Sequence, residues 1–149
     1  MRVGRKAPAR AVVGGAIIDG RSATFDRALF PSLPASTVGT LSQSPIAPPY
    51  IGTCAQAVCE GRLVVCPDVA TDTRFDAGWR RLYLGLGIQS VQSAPIFSFN
   101  GNALGTFVVA FRQPQPRASF DIDVVGFGVY AMRTILQKPS CYNSGPRAV

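Results

Sequence analysis

Three thiols, Cys54, Cys59 and Cys66, lie within the single stretch GTCAQAVCEGRLVVC, residues 52–66, and a fourth, Cys141, follows near the C-terminal end. Cysteines this close could hold a metal, run thiol chemistry or fill a core. Structural zinc sites use close pairs such as C-x2-C, whereas the spacings here are C-x4-C and C-x6-C, which argues against a metal. On a helix, five residues turn the chain by roughly 500°, leaving Cys54 and Cys59 about 140° apart. They point to different faces and fall short of disulfide geometry. The expectation is three reduced, unbridged thiols that mostly pack in the core, as free cysteine commonly does. Cys54 is placed near a helix N-terminus, which lowers a thiol's pKa and leaves it a route to reactivity.

The chain contains no histidine. That removes the commonest general base and metal ligand, and with them any Ser-His-Asp or Cys-His catalytic arrangement. Asp121 and Asp123 fit compensation of a helix dipole better than acid–base work. Asp68 and Asp72 sit in turn-forming sequence and read as Asx-turn residues. No glycine-rich phosphate loop is present. The remaining candidates for a ligand site are the start of the helix at Thr53 and Cys54, the aromatic pair Trp79 and Tyr83 four residues apart, and Ser93. No catalytic residue, metal ligand or cofactor is assigned, and a non-enzymatic role is expected.

The elements that would position these residues can be read from pattern. AVVGGAIID and SATFDRAL form two strands joined at Asp19-Gly20, a hairpin dipeptide. The Pro/Ser-rich run FPSLPASTVGTLSQSPIAPPYIG is a long loop of the kind that often carries function. Thr53 is a plausible N-cap for a short helix, CAQAVCE, which Gly61 stops. LVVC is a buried strand, and WRRLYLGLG (Trp79 to Gly87) has helical apolar spacing. IQSVQSAPIFS and ALGTFVVAFR flank a second hairpin signal, Asn100-Gly101. Ser119 and Asp121 are candidate caps for a final helix, DIDVVGFGVYAMRTILQK. In it Ile122, Val125, Val129, Met132 and Leu136 make the stripe expected to pack on a sheet. Val124, Phe127, Tyr130 and Ile135 form a second apolar set, more than one buried face needs, which points to a homodimer through this helix. The class is α+β, with residues 1–10 a flexible basic tail, 11–138 one domain, and 139–149 a linker or frayed end.

The formal charge is +7, but four basic residues crowd the first ten positions and no basic stripe interleaved with aromatics follows. No nucleic-acid contact is expected. The longest apolar run, FVVAF, is far short of the about 20 residues a spanning helix needs. A cytoplasmic protein without membrane contact is the expectation.

The order of elements and several local patterns resemble the GAF domain, a small sensory module of bacterial signalling proteins. IGTCAQAVCEGRLVVCPDVATDTRF is similar to the family stretch in which Gly-Ser-Cys-Gly-Thr-Ala opens a short helix before a strand and D-[IV]-A-T-D-P-R-[FW]. SAPIFSFNGNALGTFVVAFRQPQP resembles the hairpin that follows. Ala55 and Gln56 replace the usual Gly-Thr, and Val91-Gln92 stands where many relatives have Cys-Trp. The resemblance implies a three-layer α/β/α domain around a five- or six-stranded antiparallel sheet, with a pocket between the sheet and the inserted helices. It further implies a sensory module of a two-component or related system, binding a small molecule or dimerising to control an effector such as a sensor histidine kinase or diguanylate cyclase. The alternative is the free methionine sulfoxide reductase branch, whose GVCGTA resembles GTCAQA at Cys54. This sequence lacks cysteine at both other places where that branch carries it.

Overall fold

Strict alternation of side chains builds the centre of the molecule. The computed structural model describes residues 11–19, 21–36, 39, 44–116 and 122–137. Five strands, β1 (Ala11–Asp19), β2 (Thr24–Leu29), β3 (Val64–Cys66), β4 (Ser90–Phe97) and β5 (Ala103–Phe111), form one antiparallel sheet in the order β2-β1-β5-β4-β3. In the central β5, Val108 and Ala110 enter one apolar cluster, while Phe107, Val109 and Phe111 join another on the opposite face. Successive residues of a strand point to opposite faces, so a strand apolar at nearly every position must be covered twice.

The helices supply the two covers. The first, α1 (Thr53–Glu60), and the second, α2 (Ala77–Gly85), send Ala57, Trp79 and Tyr83 into the cluster that holds Val91, Val108 and Ala110. The third, α3 (Ile122–Leu136), places Val125 and Val129 against Ala94 and Val109 on the other face. The architecture is therefore the expected three-layer α/β/α arrangement, with five strands.

Several local expectations change. Asp19 pairs with Thr24 across the first hairpin, so the connection runs over residues 20–23 and is wider than a tight turn at Asp19-Gly20. The Asp19 carboxylate holds it by accepting from Arg21 N (3.0 Å) and the Ser22 hydroxyl (2.9 Å). The second hairpin turns where expected: Gly101 takes φ 84°, a left-handed conformation that glycine adopts without steric cost. The N-cap of α1 is Gly52 rather than Thr53, because the Thr53 hydroxyl is engaged with the sheet. α2 starts at Ala77, ahead of Trp79, because the Asp76 carboxylate accepts from Gly78 N (2.7 Å) and Trp79 N (3.1 Å), an N-cap that was legible as Asp-Ala-Gly-Trp. Ile122, assigned to the sheet-facing stripe, is 70% exposed, since α3 first meets the sheet at Val125. The candidate caps Ser119 and Asp121, Cys141 and both proposed tails lie outside the described residues.

Candidate ligand cavity

Residues from both strands of the first hairpin and from α1 and α2 converge on one small cavity. Phe25 and Ala28 of β2, Ala16 of β1 and Phe30 form its apolar walls; Gly52, Cys54 and Ala55 bring in the start of α1, and Trp79 and Tyr83 close it from α2. Its volume is about 40 Å³, enough for a water or about two heavy atoms. The roof is a continuous aromatic stack. Phe75 and Trp79 have ring centroids 5.0 Å apart, and Trp79 and Tyr83 4.3 Å, both tilted. The Asp76 N–H donates to Ile51 O (3.1 Å), so the cap of α2 is tied to the segment that leads into α1. The long loop contributes Ser44 and Pro45 to the cavity wall. It is held there by Phe25 N donating to Ser44 O (3.1 Å) and Ile46 N to Ala23 O (3.2 Å).

All five candidate residues gather here, in two ranks. Cys54, Trp79 and Tyr83 line the cavity. Thr53 and Ser93, both fully buried, stand behind Cys54, with their hydroxyl oxygens 2.8 Å apart and the Cys54 sulfur 3.5 Å from Ser93 Oγ. Thr106 of β5, which the sequence reading missed, adjoins the Cys54 thiol. Its Oγ1 is buried and makes no directed hydrogen bond among the described residues. The wall residues Ala16, Phe25, Ala28 and Phe30 were also missed. Their sequence shows only strand alternation, and nothing local says which strand will face α2.

The thiols divide by environment. Burial pushes the Cys54 thiol above its ordinary pKa, opposed more weakly by the neighbouring Thr106, Ser93 and Thr53 hydroxyls. The expected lowering by the helix N-terminus is thus outweighed, because desolvation disfavours the thiolate. Burial, followed by the neighbouring Asp72 carboxylate, pushes Cys66 up to about 12. Cys59 is exposed on the outer side of α1, which corrects its assignment to the core. The three are unbridged. Burial likewise raises the Tyr83 hydroxyl, so the cavity wall is neutral near pH 7. Asp68 and Asp72 do form Asx turns, accepting from Ala70 N and Arg74 N at 3.1 Å each. Among the described residues no group of three or more His, Cys, Asp or Glu is placed to hold a metal, and no helix is long and apolar enough to cross a membrane.

Comparison with known proteins bears on the fold and the family. The chain is similar to free methionine-R-sulfoxide reductase from Neisseria meningitidis, solved with its substrate (23% identity, TM-score 0.58, covering 83% of this chain and 63% of that one). It therefore spans less than two thirds of that protein's length. It is similar to a domain of a candidate two-component sensor histidine kinase from Sinorhizobium meliloti 1021 (14% identity, TM-score 0.60, 85% and 76% covered). A third similar structure is the GAF domain/HD domain protein from Geobacter sulfurreducens (16% identity, TM-score 0.63, 92% and 86% covered). At these identities the likeness concerns the fold. No curated protein matches the sequence. The profile of the GAF domain matches residues 9–127, from the start of β1 into α3 and across every wall of the cavity, and the chain therefore belongs to the GAF domain family.

Proposed function

We propose that this chain is the sensory or regulatory module of a bacterial signal-transduction protein, working in the cytoplasm by binding a small molecule rather than by catalysis. The observation that carries this reading is the cavity itself. It is walled by two strands, two helices and the long loop and roofed by Trp79, so an occupant alters the packing of α1 and α2 together. A ligand acts through its different affinity for two conformations, and an aromatic roof that must shift to admit it provides such a difference. The output surface is α3, whose Val124, Phe127, Tyr130 and Ile135 are 51–75% exposed. This row supports a homodimer through α3 that passes the change to an effector such as a sensor histidine kinase or diguanylate cyclase. Native mass spectrometry of the protein purified from its own cells is the test. Bound ligand that disappears in an Ala55→Val variant supports the reading, and a ligand-free protein insensitive to that change defeats it.

The position of Cys54 in the cavity wall favours one other reading, a thiol reductase like the Neisseria neighbour. Reducing a sulfoxide leaves the attacking sulfur as a sulfenic acid, which a second thiol must resolve. Among the described residues no second cysteine lines the cavity, and the raised pKa of Cys54 keeps it from the thiolate form. Binding is therefore favoured, and turnover of free methionine sulfoxide with a dithiol reductant would reverse that judgement.

A further inference from the structure

Resting on the ligand-sensing reading above, we propose that the cavity under Trp79 takes a small uncharged molecule with an apolar body and one hydrogen-bonding group, which displaces the indole as it enters. Charge decides the class. Among the described residues the wall carries no Lys, Arg, Asp or Glu, only alanines, aromatics, Pro45, Ile51, Gly52, Ser44 and Cys54. The thiol is held protonated by burial. An ion entering this space gives up its hydration and meets no opposite charge.

The start of α1 offers partial positive charge, so a small anion is the competing class. One feature weighs against it. The Thr53 hydroxyl, which could assist an anion, is committed to Ser93 at 2.8 Å. Size adds a condition. The 40 Å³ here holds a water or about two heavy atoms, so a larger occupant enters by displacing Trp79. The single polar group of the ligand has a partner ready. Cys54, which lines the cavity, can donate from its thiol.

Acetone, 2-propanol and acetate share the same number of heavy atoms and differ in charge, so they separate the two classes. Each is titrated into the 149-residue chain while backbone amide shifts of Cys54, Ala55 and Thr106 are followed by NMR. Saturable shifts at these amides with acetone and 2-propanol are expected, with a midpoint at least tenfold lower than for acetate, and Ala55→Val abolishes them. Acetate saturating these amides as readily as the neutral probes, or more so, overturns the ligand class and leaves sensing at this cavity standing. No saturable shift with any of the three overturns both.

Discussion

Replacing Gly52 by alanine tests whether Trp79 closes the cavity by resting on bare backbone. Gly52 is extended, with φ −153° and ψ −171°, a conformation open to any residue, so the effect is steric. A methyl group on its Cα would lie 2.5 Å from Trp79 Cε2 and 2.6 Å from Cδ1, and closer still to Nε1. Carbon atoms rest about 3.5–4.0 Å apart, so the indole must retreat by about 1 Å or more. Trp79 is 6% exposed and stacked between Phe75 and Tyr83, which leaves it little room. Overpacking of this kind costs about 1–3 kcal/mol, and alanine is also a poorer N-cap than glycine by several tenths. The lower chain entropy of unfolded alanine offsets about 0.4–1 kcal/mol. The net expectation is a loss of about 2 kcal/mol. Trp79 is the sole tryptophan of the chain, so urea unfolding and the native emission maximum both report it directly. Gly52→Ala should lower the midpoint without changing the slope and shift native emission to the red. In a Trp79→Leu background, where the clashing indole atoms are gone, the same change should cost less than about 0.5 kcal/mol, a coupling that a double-mutant cycle resolves. An equal cost in both backgrounds, with unshifted emission, would refute the proposed contact.

Other outcomes follow from the same geometry. Gly126→Ala, with nothing within 4 Å of the new methyl, should stabilise by about 0.5–1 kcal/mol through helix propensity, read from the urea midpoint. Gly128→Ala should forfeit that gain or reverse it, because its methyl would lie 2.7 Å from Phe107 Cε2; a matching gain would show that α3 sits off the sheet. Phe127, 75% exposed, should change monomer stability by less than about 0.5 kcal/mol when replaced by glutamate, while sedimentation shows the proposed dimer lost; a protein that is monomeric throughout, or a dimer unaffected by the change, defeats an α3 interface. Cys66 has a folded pKa of about 12 against an ordinary 9.0. Its contribution is thus fully present below pH 9 and lost as pH rises from 9 towards 12. Cys66→Ala should flatten the first part of that decline, leaving the later part, from pH 10 upward, to Tyr50 and Tyr83, whose hydroxyls are shifted the same way. Peptide mapping after brief alkylation should find Cys59 modified before Cys54 and Cys66, in line with their exposure.

Local sequence was enough to place most elements. Asn100-Gly101 marked the β4–β5 turn, Gly61 the end of α1, and ALGTFVVAFR the strand β5. These signals are legible because turns, caps and side-chain periodicity are properties of a few neighbouring residues. Boundaries slipped where one side chain had two possible partners. Thr53 was a reasonable N-cap by type, but its hydroxyl could either close the helix or reach the sheet, and Ser93, forty positions away, decided the matter.

The sequence by itself determined the family, the α+β class and the absence of histidine chemistry, since each follows from composition, local pattern or order along the chain. Only the tertiary structure decided what the cysteines are. Cys54, Cys59 and Cys66 are equivalent as residue types, yet one lines a cavity, one faces solvent and one is buried at the end of β3. That division depends on how α1 is rotated against the sheet and on Trp79 folding over Gly52 to exclude water. Burial and desolvation are set by atoms brought from distant parts of the chain, so neither the neutrality of the cavity nor the protonation of its thiol could be read from the residues alone.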